Sequence, residues 1–123
     1  MNCEFCKKKI FKRIIKKSKT VFAIYDQNPV TKHHTIIIPY RHFKSFFEIS
    51  NNELKELFLL ILKLKKKFLA KDKSIKGFNL GVNFGKYAGQ TINHCHFHLI
   101  PRRKNDFDLR LKKNKSKKFF WIK

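Results

Sequence analysis

Residues 94–98 read His-Cys-His-Phe-His and run directly into Leu99, Ile100 and Pro101. One side-chain type at every second position fits a β-strand, because only a strand sends alternate side chains to opposite faces. In that conformation His94, His96 and His98 share one face, and Cys95, Phe97 and Leu99 take the other. The second set is apolar enough to lie on a core. Successive imidazoles on the first face then stand roughly 6.5–7 Å apart at the backbone. Such a row can divide metal binding, nucleophilic attack and proton handling among its members.

The remaining composition sets limits. A chain of 123 residues fits one domain over 1–123, large enough for a core and small enough to gain from dimerisation. A hydrophobic share of 42% rules out a disordered basic tail. No apolar run approaches the ~18 residues of a membrane span, and the N-terminus lacks the pattern of a signal peptide. The expectation is a soluble, cytoplasmic protein with no membrane partner. A net charge of +22 invites a nucleic-acid partner. Lys, Ile, Phe and Asn are abundant together, however, as A+T-rich coding produces without any functional demand. The field also favours capture of small anionic ligands.

Three cysteines do not make a secreted disulfide framework. Cys3 and Cys6 form a Cys-x-x-Cys with no strand before it, unlike a thioredoxin-type redox pair. Half of a tetrahedral zinc site fits better, with two further ligands to come from elsewhere, histidines being the available supply. Cys95 reads as a small buried hydrophobe.

Within the N-terminal segment 1–19, residues 7–19 carry Ile10, Phe11, Ile14 and Ile15 at helical spacing, which predicts a short helix. Residues 20–25 and 35–39 read as strands, separated by a turn at Asp26–Pro29. Ser50 and Glu53 form a capping box for a long helix whose face runs Leu54, Leu57, Phe58, Ile61, Leu64 and Phe68. Lys63, Lys65, Lys66 and Lys67 fall on its solvated side. Gly77 ends that region, residues 78–84 read as a strand, and 85–89 as a loop before the histidine strand. The basic tail, 104–123, is peripheral, with Phe119, Phe120 and Trp121 in need of something to pack on. The fold class is α+β: a mainly antiparallel sheet of about five strands, one long helix and a shorter N-terminal helix.

The histidine row with its apolar intervals resembles the signature of the histidine-triad (HIT) family, His-φ-His-φ-His-φ-φ. The segment Val30–His42 with Asp26 before it resembles that family's nucleotide-binding strand pair. Asn83 with Gly89, Gln90 and Thr91 resembles its phosphate-side loop. These matches span about residues 3 to 103. The resemblance implies that His96 is a nucleophile toward the α-phosphorus of a nucleotide, that His98 contacts the phosphate, and that His34 lies in the same pocket. It further implies that Asp26 accepts hydrogen bonds from ribose hydroxyls and that Asn83, Gly89, Gln90 and Thr91 surround the α-phosphate. Phe5, Ile10, Phe22 and Ile24 are the candidates to enclose the base. A relative of the zinc-containing branch would bind structural zinc through Cys3, Cys6, His42 and His94, with no catalytic metal. A rival arrangement would chelate zinc with His94 and His96, removing the nucleophile. His33 stands where relatives commonly have glycine, which is awkward if the backbone needs φ > 0.

The implied activity is hydrolysis or transfer at the α-phosphate of a purine nucleotide phosphoramidate or phosphoanhydride, through a nucleotidyl-histidine, with release of the nucleoside monophosphate by a homodimer. The alternatives are a nucleotide-binding regulatory protein with slow chemistry and, less well supported, a zinc-dependent nucleic-acid module.

Overall fold

A computed structural model of the chain describes residues 3–106. The phenylalanines and tryptophan of the basic tail lie outside the described residues. Five strands, β1 (Ile14–Lys17), β2 (Val21–Tyr25), β3 (Thr35–Pro39), β4 (Ile75–Val82) and β5 (Phe97–Arg103), form one antiparallel sheet in the order β1-β2-β3-β5-β4. Helix α1 (Asn51–Lys71) crosses one face.

Strand alternation divides the apolar residues between two cores. Val21, Ala23, Ile37, Cys95, Phe97 and Leu99 pack with Leu57, Leu60, Leu64 and Phe68 of α1. Phe22, Ile24, Ile36 and Ile38 point the other way and pack with Phe5 and Ile10 of the N-terminal segment. Each side chain fully buried this way contributes about 1.5–3 kcal/mol, so the N-terminal segment is a structural layer over the sheet.

Three local expectations are corrected. The N-terminal helix is a 3-10 segment, Lys8–Arg13, that passes into β1. Ile14 packs toward the N-terminal core and Ile15 toward the helix core, so the second half of that apolar pattern has strand period, which sequence spacing did not separate from helix period. On α1 the buried face is Leu57, Leu60, Leu64 and Phe68, whereas Leu54 and Phe58 are 44% and 59% exposed. Gly77 lies inside β4, at an irregularity in its pairing with β5, instead of ending the preceding region.

The capping box is formed as expected. Ser50 Oγ accepts from Glu53 N at 3.0 Å, and Ser50 N donates to Glu53 Oε1 at 2.9 Å. Arg41 adds a fork onto the same carboxylate, Nε to Oε2 at 3.1 Å and Nη2 to Oε1 at 2.8 Å. The helix start is thereby tied to the segment that leads out of β3.

Candidate active site and metal cluster

The ladder of β5 begins at Phe97, so His94, Cys95 and His96 precede it. Cys95 N donates instead to the Phe43 carbonyl at 2.7 Å. The alternation survives this shift. Cys95 lies in the helix-side core, where burial pushes its thiol up to about 12, while His94 and His96 both meet the ring of Phe5 on the opposite face.

His94 faces the Cys-x-x-Cys. Its Nδ1 is 3.4 Å from Cys3 Sγ, 3.6 Å from Cys6 Sγ and 3.1 Å from His42 Nδ1; Cys6 Sγ is 3.3 Å from His42 Nδ1. All four donor atoms lie within 4.8 Å of one another. His94 Nε2 donates to the Pro39 carbonyl at 2.8 Å, which leaves the Nδ1 lone pair directed at the thiols. Burial and the adjacent Cys3 push the Cys6 thiol up, an effect that a bound cation reverses. Two sulfurs and two imidazole nitrogens so arranged fit a tetrahedral metal ion. The rival pairing of His94 with His96 is not assembled among the described residues: His94 groups with Cys3, Cys6 and His42, and His96 falls in no cluster of metal-donor atoms.

A main-chain hydrogen bond sets the chemistry of His96. Its Nδ1 lies 2.8 Å from the His94 carbonyl, an acceptor only, so Nδ1 carries the proton and Nε2 the lone pair. Burial, opposed by the His94 carbonyl and by Asp26, lowers its pKa and favours the neutral ring. His96 and His98 line a cleft of about 500 Å³ with Phe5, Ile24, Asp26, Asn83, Gly89 and Thr91. Ile36 and Ile92 complete its apolar wall, while Glu4, Arg13, Gln27 and Asn28 supply polar groups. Ile10 and Phe22, expected against a base, are instead buried in the core beneath.

His34 is fully buried behind His98. Its Nδ1 accepts from Val30 N at 3.0 Å, which places the ring proton on Nε2. Nε2 donates to His98 Nδ1 at 2.9 Å, with Asp26 Oδ2 at 3.4 Å. His98 is thereby left with its proton on Nε2 as a donor. Asp26, His34 and His98 have donor atoms close enough to group around an ion, but a protonated Nε2 on His34 is not a metal ligand. Asp26 is oriented by Asn28, whose N–H donates to Oδ1 at 2.8 Å.

Gln90 is placed differently from the other phosphate-side residues. Its Oε1 accepts from Gly85 N at 2.9 Å, and its Nε2 donates to the Lys44 and Ile92 carbonyls at 3.0 and 3.1 Å. The amide shapes the loop carrying Gly89 and Thr91, in which Gly85 and Gly89 take φ of 94° and 95°. His33 has φ of 73°, the left-handed conformation that makes glycine the ordinary occupant of that position. The backbone donor on Val30 had no signal in the sequence, because a main-chain N–H is common to every residue except proline.

Comparison with known proteins agrees with this geometry. The HIT domain model matches residues 7–105. An uncharacterized HIT-like protein of Methanocaldococcus jannaschii is 35% identical over 107 residues, covering 85% of this chain and 81% of its own. An adenosine 5'-monophosphoramidase of Candida albicans is 31% identical over 111 residues, covering 83% and 71%. Among solved structures, a HIT family protein from Bacillus anthracis superposes with a TM-score of 0.78 at 32% identity, covering 94% of this chain and 85% of that one. A Zn-bound histidine triad family protein from Mycobacterium smegmatis gives 0.75 at 27% identity, covering 86% and 78%. With its triad, sheet order and cleft all assembled, this chain belongs to the HIT family.

Proposed function

We propose that the protein is a nucleotide hydrolase or transferase that attacks the α-phosphorus of a purine nucleotide phosphoramidate or phosphoanhydride with His96. The hydrogen bond from His96 Nδ1 to the His94 carbonyl carries this reading, since it leaves Nε2 as the nucleophilic nitrogen. The Nε2–phosphorus bond forms as the bond from phosphorus to the leaving group breaks, and the leaving group takes a proton that the bound substrate carries in, replaced by the one the attacking water gives up in the next step. Water then attacks the nucleotidyl-histidine, releases the nucleoside monophosphate and restores His96. His98 contacts the phosphate as an Nε2–H donor, supported from behind by His34. Asp26 accepts from the ribose, Phe5, Ile24 and Ile92 border the base, and Asn83, Gly89 and Thr91 surround the phosphate, with Gln90 holding their loop.

For the metal, the proposal is structural zinc on Cys3, Cys6, His42 and His94. Bonds of about 2.3 Å to sulfur and 2.0–2.1 Å to nitrogen give tetrahedral edges of roughly 3.3–3.8 Å. The observed sulfur–nitrogen separations of 3.3–3.6 Å lie within that range, and the nitrogen–nitrogen separation of 3.1 Å is close to it. When bound, zinc supplies a cross-link between the N-terminal segment and the residue whose carbonyl orients His96. The protein is further proposed to act in the cytoplasm as a single-domain homodimer. An edge strand β4 with Leu80 52% exposed supports the pairing, and no described helix is long and apolar enough to cross a membrane.

The test is turnover of an adenosine phosphoramidate by wild type and by His96→Ala, alongside the affinity of each for adenosine monophosphate. The expected result is loss of turnover in the variant with binding retained. A variant that turns over like wild type would remove His96 from the chemistry. Binding by wild type without turnover would favour the regulatory alternative.

A further inference from the structure

The loop that delivers His34 to β3 is held from three sides by groups with no part in the chemistry above. Thr31 Oγ1 donates to the Pro101 carbonyl at 2.6 Å. Arg103 Nη2 donates to the Lys32 carbonyl at 3.1 Å. The His33 ring lies on Phe68, with centroids 5.3 Å apart and planes 12° apart. Arg103 is anchored in turn: Nη2 meets Asp72 Oδ2 at 2.9 Å and Nε donates to Ser74 Oγ at 3.2 Å. Asp72 is itself braced by Ser74, whose hydroxyl and N–H reach Oδ1 at 2.6 and 2.9 Å. One guanidinium thus ties the turn after α1 and the end of β5 to the backbone of the loop.

Toward the buried His34 ring this loop directs the N–H of Val30. Val30 N stands 3.0 Å from His34 Nδ1, and this contact, with Asp26 Oδ2 3.4 Å from Nε2 on the other side of the ring, sets the His34 proton on Nε2. A backbone shift of about 1 Å would carry the pair beyond hydrogen-bonding distance. His34 could then hold its proton on Nδ1 and present a lone pair to His98. His98 would turn its own proton inward and lose its donor toward the cleft.

We propose that Arg103 and Thr31 are positioning residues: through the Val30 N–H they hold His34 as the Nε2–H tautomer and so keep His98 a donor toward the bound phosphate. The inference rests on the proposed roles of His96 and His98. Control of the His34 tautomer, however, is measurable without substrate.

The experiment uses the full chain as wild type, Arg103→Gln and Thr31→Val, with Glu56→Gln as control. Glu56 joins α1 to Ser18 and Thr20 and is not among the residues lining the cleft. Long-range proton–nitrogen spectra of the imidazoles report the tautomer, and steady-state kinetics on an adenosine phosphoramidate report turnover. The expected result is Nε2–H on His34 in wild type and control, and a mixed tautomer in both loop variants. Their kcat should fall about 10- to 100-fold, as for other groups that orient a reacting histidine, with KM changing less than about threefold. Folded loop variants that keep the wild-type tautomer, or that keep kcat despite a mixed tautomer, overturn the proposal. Should Arg103→Gln fail to fold, the near-isosteric Thr31→Val decides. A wild type with the expected tautomer and no turnover would overturn the functional reading and leave control of the imidazole standing.

Discussion

Glu53 offers a quantitative test of how the fold supports the candidate metal cluster. Its side chain is 5% exposed, accepts the Ser50 N–H that completes the capping box, and takes two hydrogen bonds from Arg41. Replacing Glu53 with alanine removes the reciprocal half of the cap, about 1 kcal/mol. It also removes charge-assisted bonds of about 1.5–3 kcal/mol in a protected setting. Arg41 is 51% exposed, so water screens that pair and re-solvates the freed guanidinium. The lower end of that second range is therefore appropriate, and the sum is about 2–3 kcal/mol. For a domain of this size that corresponds to roughly 8–12 °C in Tm. Arg41 also donates to the Glu48 carbonyl and lies 4.2 Å over the Phe43 ring, flanking His42 on the chain, so the loss should reach the proposed metal ligand beside it. Thermal unfolding of wild type, Glu53→Gln and Glu53→Ala across pH checks the reasoning. Burial raises the Glu53 pKa, but the bonds from Arg41 and Ser50 outweigh it and the net shift is downward. The contribution is therefore fully present above the unfolded carboxyl pKa, near ~4.3. It fades as pH falls through the lower folded value. The gap between wild type and Glu53→Gln should accordingly narrow below about pH 4. A gap between wild type and Glu53→Ala below about 0.5 kcal/mol at neutral pH, or a gap to Glu53→Gln that widens in acid, would refute the argument.

Cys6→Ser should lower bound zinc, measured by elemental analysis, from one per chain to well below one, with a matching loss of thermal stability. Unchanged metal content would mean the four donors do not act together. At His33, whose φ is 73°, alanine loses the ring stacked on Phe68 and keeps the strained backbone, whereas glycine loses the ring and relieves the strain. Denaturant unfolding should place His33→Ala about 1 kcal/mol below His33→Gly, and the reverse order would count against the strain.

The strands were legible where chemistry and period agreed. The run at 35–39 became β3 without adjustment, and Ser50 with Glu53 located the start of α1 to the residue. Ile14 and Ile15 misled because two adjacent apolar residues fit either period, and only pairing with β2 decides between them. Leu54 and Phe58 were placed on the helix face by spacing, but the sheet meets a narrower stripe set by Leu57, Leu60, Leu64 and Phe68. Within the site, alternation along 94–98 foretold which histidines share a face. The four candidate metal donors that the family resemblance grouped do converge. What the sequence did not carry was the set of backbone partners: the Pro39, His94 and Val30 main-chain groups that fix three imidazole tautomers. Gln90 was read as a phosphate-side residue, but its amide braces a loop, a use that depends in part on the Lys44 carbonyl, remote in sequence.

The most direct measurement of the central claim is intact-protein mass spectrometry after rapid alkaline denaturing quench, which preserves a phosphorus–imidazole bond, of the protein with an adenosine phosphoramidate, for wild type and His96→Ala. The account predicts a transient adduct of one adenylyl group on wild type, absent from the variant and decaying as monophosphate is released. Turnover by wild type without any adduct, or an adduct of equal yield on His96→Ala, would contradict covalent catalysis at His96.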